Sequence, residues 1–411
     1  MADRSLANIF LTVTTPVTDS RDRRAAVLAG FLGWTLDAFD FFLVVMTLTA
    51  IAQEFHRPDA AIAWSLTLTL LCRPVGALIF GLLSDRYGRR IPLMINLVFY
   101  ALVEILTGFS TSYAAFLFLR ALFGIGMGGE WGVGASLVME KVPADRRGFY
   151  SGLLQQGYAA GYLLAALAYA FVFPRWGWRP LFFIGGAPAL LAIFVRAQVK
   201  ESEVWLKKRE PTWNRLGSTL AKQVPLFLYL VVLMALMNMS SHGTQDLYPT
   251  FLERAWGLSP VSRSWVTVVS MVGALTGGIL FGHWSQHWGR RKTIIATLLG
   301  AVVVIPLWAY APSLWLLVVG AFLMQFLVQG AWGVIPAHIT ELVPDQVRGA
   351  LPGFAYQCGA AIAGFMPGLQ RQVAGTLGFP ATMALSAGAA FVICALVTSL
   401  GREKRGILYG S

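Results

Sequence analysis

Thirty of the chain's 32 lysine and arginine residues fall between, or at the ends of, long apolar stretches, and this segregation leaves few folds open. A helix rises 1.5 Å per residue, so about 20 consecutive apolar residues cross a bilayer core. Twelve such stretches can be read, at 25–53, 60–83, 91–109, 114–140, 148–173, 180–199, 224–250, 262–283, 293–311, 313–340, 350–372 and 379–400. Composition agrees: 13% of residues are charged and 56% apolar, whereas soluble proteins carry roughly a quarter charged residues. Such a chain cannot dress a water-facing surface. It reads as an all-α integral membrane protein.

An even number of spans puts both termini on one side. With that side taken as inside, the inner segments carry 24 basic residues and the outer loops six, leaving only Arg73 and Arg120 within spans. The positive-inside rule therefore predicts cytoplasmic termini in a cell membrane, inner or plasma. The expected layout is a cytoplasmic tail at 1–24, a six-helix bundle at 25–199, a basic cytoplasmic linker at 200–223, a second bundle at 224–400 and a tail at 401–411. The first 24 residues lack the apolar core of a signal peptide. Cys72, Cys358 and Cys394 lie inside apolar stretches without metal-ligand spacing, so neither a disulfide framework nor a metal site is expected. No basic run is interleaved with aromatics, so the net charge of +12 does not point to nucleic acid. No nucleophile–base constellation or phosphate loop suggests an enzyme or a bound cofactor. Oligomeric state is not legible.

The chain also repeats itself. Gly81-Leu-Leu-Ser-Asp-Arg-Tyr-Gly-Arg-Arg90 is echoed 201 residues later by Gly282-His-Trp-Ser-Gln-His-Trp-Gly-Arg-Arg291. At the same offset Gly129-Glu-Trp-Gly-Val133 matches Gly330-Ala-Trp-Gly-Val334, and Glu140-Lys-Val-Pro143 matches Glu341-Leu-Val-Pro344. The first of these strings, between spans 2 and 3, resembles the G-x-x-x-D-R-x-G-R-R signature of the major facilitator superfamily. Arg120-x-x-x-Gly124-x-Gly126 in span 4 resembles that superfamily's second signature. The resemblance covers essentially the whole chain. It implies two pseudo-symmetric six-helix bundles around a central cavity, with a binding site near the midplane and access alternating by rocking.

The signature loop supplies the first candidate residues. The resemblance implies that Asp85, Arg86 and Arg89 belong to a gate, with Arg290 as the counterpart of Arg89. The alternative for such arginines is positive-inside anchoring. Asp85 is suited to accept from a facing helix N-terminus, where the dipole favours an anion. In the second copy Gln286 replaces the aspartate and His287 an arginine, so a charged latch is not expected there.

Charges within spans are costly unless paired or hydrated. Arg73 precedes Asp85 by twelve residues, about 18 Å along the helix and so near the midplane. Its guanidinium is suited to grip a carboxylate through two parallel hydrogen bonds, or to pair with Asp37 or Asp40. Arg120 and Glu104 read as a structural pair. Glu130 lies in a glycine-rich stretch that permits close helix packing, with titration and indirect pairing with Arg120 through another group both open. Asp37 and Asp40, at i and i+3, share one face of span 1. Two carboxylates in a low-dielectric cavity tend to share a proton, which is what a proton carrier needs. Their spacing resembles the span-1 pair of aromatic-acid:proton symporters.

Span 7 carries the string Asn238-Met-Ser-Ser-His242-Gly-Thr-Gln245-Asp246-Leu-Tyr-Pro-Thr250. A run this polar cannot face lipid. His242 and Asp246 lie one turn apart on one face, where a carboxylate can hold the imidazole's proton and orient its tautomer. Gly243 and Pro249 should let the helix open locally. The string resembles N-x-x-[ST]-H-x-[ST]-Q-D-x-x-x-T of monocarboxylate:proton symporters of the fungal lactate/pyruvate type, a group that includes sialate:proton symporters. The resemblance implies that Arg73 and Gln357 bind carboxylate and that Asn238 and Gln245 line the same site. For Gln357, ordinary helix–helix bonding stands as the alternative. Asp37, Asp40, Glu130, His242 and Asp246 are the proton-coupling candidates. The expected activity is proton-coupled symport of a lactate-like or pyruvate-like acid, with a larger acid (sialate, shikimate or an aromatic acid) as second reading and a non-transporting sensor as third.

Overall fold

The computed structural model describes residues 19–207 and 213–410, so most of the expected N-terminal tail and part of the linker lie outside the described residues. All regular structure among the described residues is helical. Span 1 runs Ser20–Glu54, span 2 Asp59–Tyr87, span 3 Arg90–Gly108 and span 4 Tyr113–Lys141. Spans 5 and 6 follow as Arg147–Trp176 and Arg179–Gln198. Span 7 covers Val224–Arg254, span 8 Pro260–Trp288, span 9 Arg290–Ala309 and span 10 Leu314–Leu342. Span 11 comprises Leu351–Ala363 and Met366–Leu377, and span 12 is Phe379–Leu400.

Ten of these are both long and apolar enough to cross a bilayer. Span 4, although 29 residues long, carries Arg120, Glu130, Glu140 and Lys141, and span 11 is divided at Gly364–Phe365. Leu190, Ile193, Val232, Val303 and Leu396 project outward, as side chains that face lipid should.

Several helix ends differ from the sequence expectation. Span 1 starts at Ser20 because the Asp19 carboxylate caps the Arg21 amide at 3.0 Å. The linker is not structureless: it contains short helices at Glu203–Lys207 and Trp213–Lys222. Span 7 breaks after Gln245 and resumes at Tyr248, since Pro249 lacks an amide proton and its ring clashes with the carbonyl four residues back. Gly243 stays helical.

Close helix contact fixes the first bundle. A Cβ at Gly124 would lie 2.3 Å from the Thr69 carbonyl oxygen, and one at Gly128 only 1.9 Å from that of Arg73. Side-chain-free positions on span 4 thus let the backbone of span 2 approach, and seat Arg73 against the bundle. Both described ends of the chain lie at one face. There Asp22 meets Lys141 and the Lys200 amide, while residues 404–410 pack on the loops after spans 4 and 10.

Candidate binding site and gate

Between the two halves, polar contacts gather at the face that holds the termini. The Asp85 carboxylate accepts from the Gly349 and Ala350 amides at 2.8 and 3.0 Å, just before span 11 begins. Arg89 pairs with Asp85 at 2.5 Å and with Glu140 at 3.0 Å. Burial opposes its charge, but Glu140 and Asp85 outweigh this and hold the guanidinium above its ordinary range. Arg348 of the second half reaches Glu140 at 3.5 Å, and the Ser136 hydroxyl donates to the Arg348 carbonyl at 2.6 Å. Arg86 is placed elsewhere: one position on from Asp85, it projects off that face and lies over the Tyr87 ring at 5.4 Å.

The second copy builds the same joint around an amide. Gln286 accepts from the Gly148 amide at 3.2 Å and donates to the Ala144 carbonyl at 2.8 Å. Arg290 binds Glu341 at 3.0 Å, and Arg147 reaches that glutamate across the interface at 3.7 Å. Charge is therefore present on this side too, but on Arg290, Glu341 and Arg147 rather than at the position of Asp85. The Tyr409 ring joins the two sides, lying 3.4 Å from the Arg147 guanidinium and 3.6 Å from that of Arg348.

Above this seal sits a cluster of aromatic rings from both halves. Tyr356 of span 11 has its ring centroid 4.6 Å from Trp131, 5.7 Å from Trp332 and 6.3 Å from Trp34. Trp34 in turn stacks on Tyr158 at 5.6 Å. The Arg73 guanidinium lies 5.9 Å from the Tyr356 ring. Arg73 is 5% exposed, and its Nε and Nη2 have no hydrogen-bond partner. No ion pair joins it to Asp37 or Asp40 among the described residues. Across the cleft, His242 Nδ1 stands 3.2 Å from Asp246, and each side chain is about a third exposed (34% and 33%). Both groups are within electrostatic reach of the first half, His242 of Arg73 and Asp246 of Tyr158. Polar and titratable side chains of both halves thus come together here.

The acids of the first bundle lie behind this cleft. Asp37 and Asp40 are fully buried; the Tyr100 hydroxyl stands beside Asp37, while neither oxygen of Asp40 nor of Glu130 has a hydrogen-bond partner among the described residues. Asp37 is within electrostatic reach of Glu130 and Arg73, and Asp40 of Glu104 and Arg120. Arg120 and Glu104 form the expected pair, at 2.8 Å.

The span-7 string is divided in use. The Asn238 amide donates to its own helix, at the Met234 carbonyl, 2.7 Å away. Gln245 donates to Gln325 at 2.8 Å; Gln325 donates to Thr244 and Gln329 to Ser241, each at 3.2 Å. Gln370 holds the Gly243 carbonyl at 3.0 Å. The polar face of span 7 thus turns mainly toward spans 10 and 11, while His242 and Asp246 pair with each other and stay about a third exposed. Gln357 is fully buried with both amide atoms unpartnered. Tyr158, Gln325, Gln329, Gln370 and the ring of Tyr356 were not singled out in the sequence. Gln325 and Gln329, four apart in an apolar span, carry the same signal as the span-7 string.

The sequence model described as Major Facilitator Superfamily matches residues 30–253 and 228–406. A carboxylic acid transporter protein homolog of Saccharomyces cerevisiae is 31% identical over 91% of this chain and 67% of its own length. The sialic acid transporter NanX of Escherichia coli is 27% identical over 89% of this chain and 92% of its own. Among solved structures, the proton:xylose symporter XylE superposes with a TM-score of 0.74 at 19% identity, covering 95% of this chain and 98% of that one.

Proposed function

Since the chain belongs to the Major Facilitator Superfamily and is a secondary transporter rather than an enzyme, we propose that it carries a small monocarboxylate together with a proton. One observation carries this reading: a buried arginine, Arg73, whose Nε and Nη2 have no hydrogen-bond partner, within electrostatic reach of a His242–Asp246 pair. A buried cation without a counter-ion is costly, and a carboxylate substrate supplies the missing charge with matching two-pronged geometry. Asp37, Asp40 and Glu130 are buried carboxyl groups without an ion-pair partner among the described residues, and each is a place where the co-transported proton can ride. Delivery of an anion to Arg73 and of a proton to these acids is then electrically balanced. Gln357 is the nearby amide suited to a second carboxylate contact, whereas Asn238 and Gln245 support the helix.

Asp85, Arg89 and Arg290 serve in this reading as the gate that is closed here, and the binding cleft opens on the far side. The basic excess at the terminal face supports cytoplasmic termini, a cleft open to the outside and a place in the cell membrane. The ring of Tyr356 over Arg73, and the four rings packed with it, favour a second reading, an acid bearing a ring, since such a substrate could stack against them. Uptake into proteoliposomes separates the readings. Lactate, pyruvate, nicotinate, shikimate and sialate are supplied in turn, with and without an imposed pH gradient. Preference for lactate or pyruvate supports the first reading, and preference for nicotinate the second. Uptake of none of them overturns both.

A further inference from the structure

Because the halves repeat at an offset of 201 residues, each place in one bundle has a counterpart in the other. In the first bundle, the wedge where span 1 begins and spans 4 and 6 end is filled by the protein's own carboxylate. Asp22 is 3% exposed, pairs with Lys141 at 2.5 Å and accepts from the Lys200 amide at 2.8 Å. At that offset Gln223 stands in place of Asp22, and Leu342 in place of Lys141.

The wedge in the second bundle is correspondingly open. It is a cavity of about 560 Å³ where span 7 begins and spans 10 and 12 end. Lys222, Arg402 and Lys404 line it, with no carboxylate among the described lining residues. The neighbouring acid, Glu403, is engaged elsewhere, accepting from the Arg291 and Arg405 amides at 2.9 and 3.2 Å. Tyr229 also lines the cavity, and its buried hydroxyl has no hydrogen-bond partner. The remaining wall is apolar, including Leu226, Leu342 and Leu400. Leu400 is 82% exposed and continues the lipid-facing surface of Leu396 and Leu228.

We infer that this wedge binds the headgroup of an anionic phospholipid, in the place that Asp22 fills in the other half. The phosphodiester meets Lys222, Arg402 and Lys404 and accepts from the Tyr229 hydroxyl, while the acyl chains run along Leu226 and Leu400. Basic pockets between spans at a membrane face suit acidic headgroups. A free phosphate would satisfy the cations but leave the apolar wall uncovered, so the lipid is the better fit.

The test uses the full-length protein purified in detergent, with phosphatidylglycerol, phosphatidylcholine and inorganic phosphate added separately. Native mass spectrometry and melting temperature are the readouts. Phosphatidylglycerol is expected to form a bound adduct and raise Tm, and the double variant Lys222→Gln/Arg402→Gln to weaken that binding at least tenfold. Gln223→Asp, which restores the first half's carboxylate, should also displace the lipid. Equal effects of the two lipids, or unchanged phosphatidylglycerol binding in both variants, would overturn the inference. An equal effect of phosphate alone would assign the wedge to a free anion instead. Parent-like melting of each variant without lipid verifies folding.

Discussion

Asp85 receives the Gly349 amide at 2.8 Å, while Gln286, its counterpart 201 residues on, receives the Gly148 amide at 3.2 Å. The same joint is thus built twice, once on a carboxylate and once on a neutral amide. Only the first contact is charge-assisted, and such bonds are worth about 1.5–3 kcal/mol against about 1 for neutral ones. The two joints are expected to differ in strength, and Asp85 to hold the terminal face closed more firmly.

Asp85→Asn should therefore shift the conformational balance toward opening of the terminal face, by about tenfold or more for a loss of about 1.4 kcal/mol. Spin labels at Arg146 and His287, both exposed, report the distance across that face. A broadened or longer distance distribution in Asp85→Asn, with a smaller change in Gln286→Ala, is expected. An unaltered distribution in Asp85→Asn would remove Asp85 from the gate.

The Arg120–Glu104 pair, at 2.8 Å and almost fully buried, should behave as a structural bridge. Glu104→Gln leaves a buried guanidinium uncompensated and should cost about 3–5 kcal/mol. Replacing both partners by apolar residues of similar volume, as in Glu104→Leu/Arg120→Met, should recover much of that loss. Melting temperatures of the two variants check this; equal losses would mean that the charges act separately.

Much of this arrangement was legible in the sequence, because membrane chains write their topology in apolar length and basic flanks. The spans, the repeat, Arg73 and the one-turn spacing of His242 and Asp246 follow from local pattern. What could not be read was which face each polar group presents. Asn238 and Gln245 stand in one string with His242, yet bond to the Met234 carbonyl and to Gln325. Their partners lie about 80 residues away or on their own backbone, and no local pattern records a helix's rotation. The Tyr409 insertion between Arg147 and Arg348 was hidden for the same reason, since it joins three distant segments.

His242 and Asp246 pair at 3.2 Å and stay about a third exposed, so His242→Ala should alter the pH dependence of transport more than the amount of folded protein. Uptake is expected to rise as external pH falls through the range where an imidazole titrates, about 6.5 when unperturbed. The variant should show a flattened profile across that range. An identical profile at matched expression would leave His242 as packing.

In the proposed cycle a carboxylate bound at Arg73 and a proton cross together. This coupling is tested most directly by a pH-sensitive dye sealed inside proteoliposomes, with an inward lactate or pyruvate gradient and no initial pH difference. Liposomes bearing Arg73→Ala report passive entry of the undissociated acid, because the bidentate grip is lost while the lipid is unchanged. Rapid acidification of the lumen is expected with the parent protein, well above the rate seen with Arg73→Ala and in step with radiolabelled uptake. Uptake of label without acidification beyond the Arg73→Ala rate, or full activity in Arg73→Ala, would rule out proton-coupled carriage at Arg73.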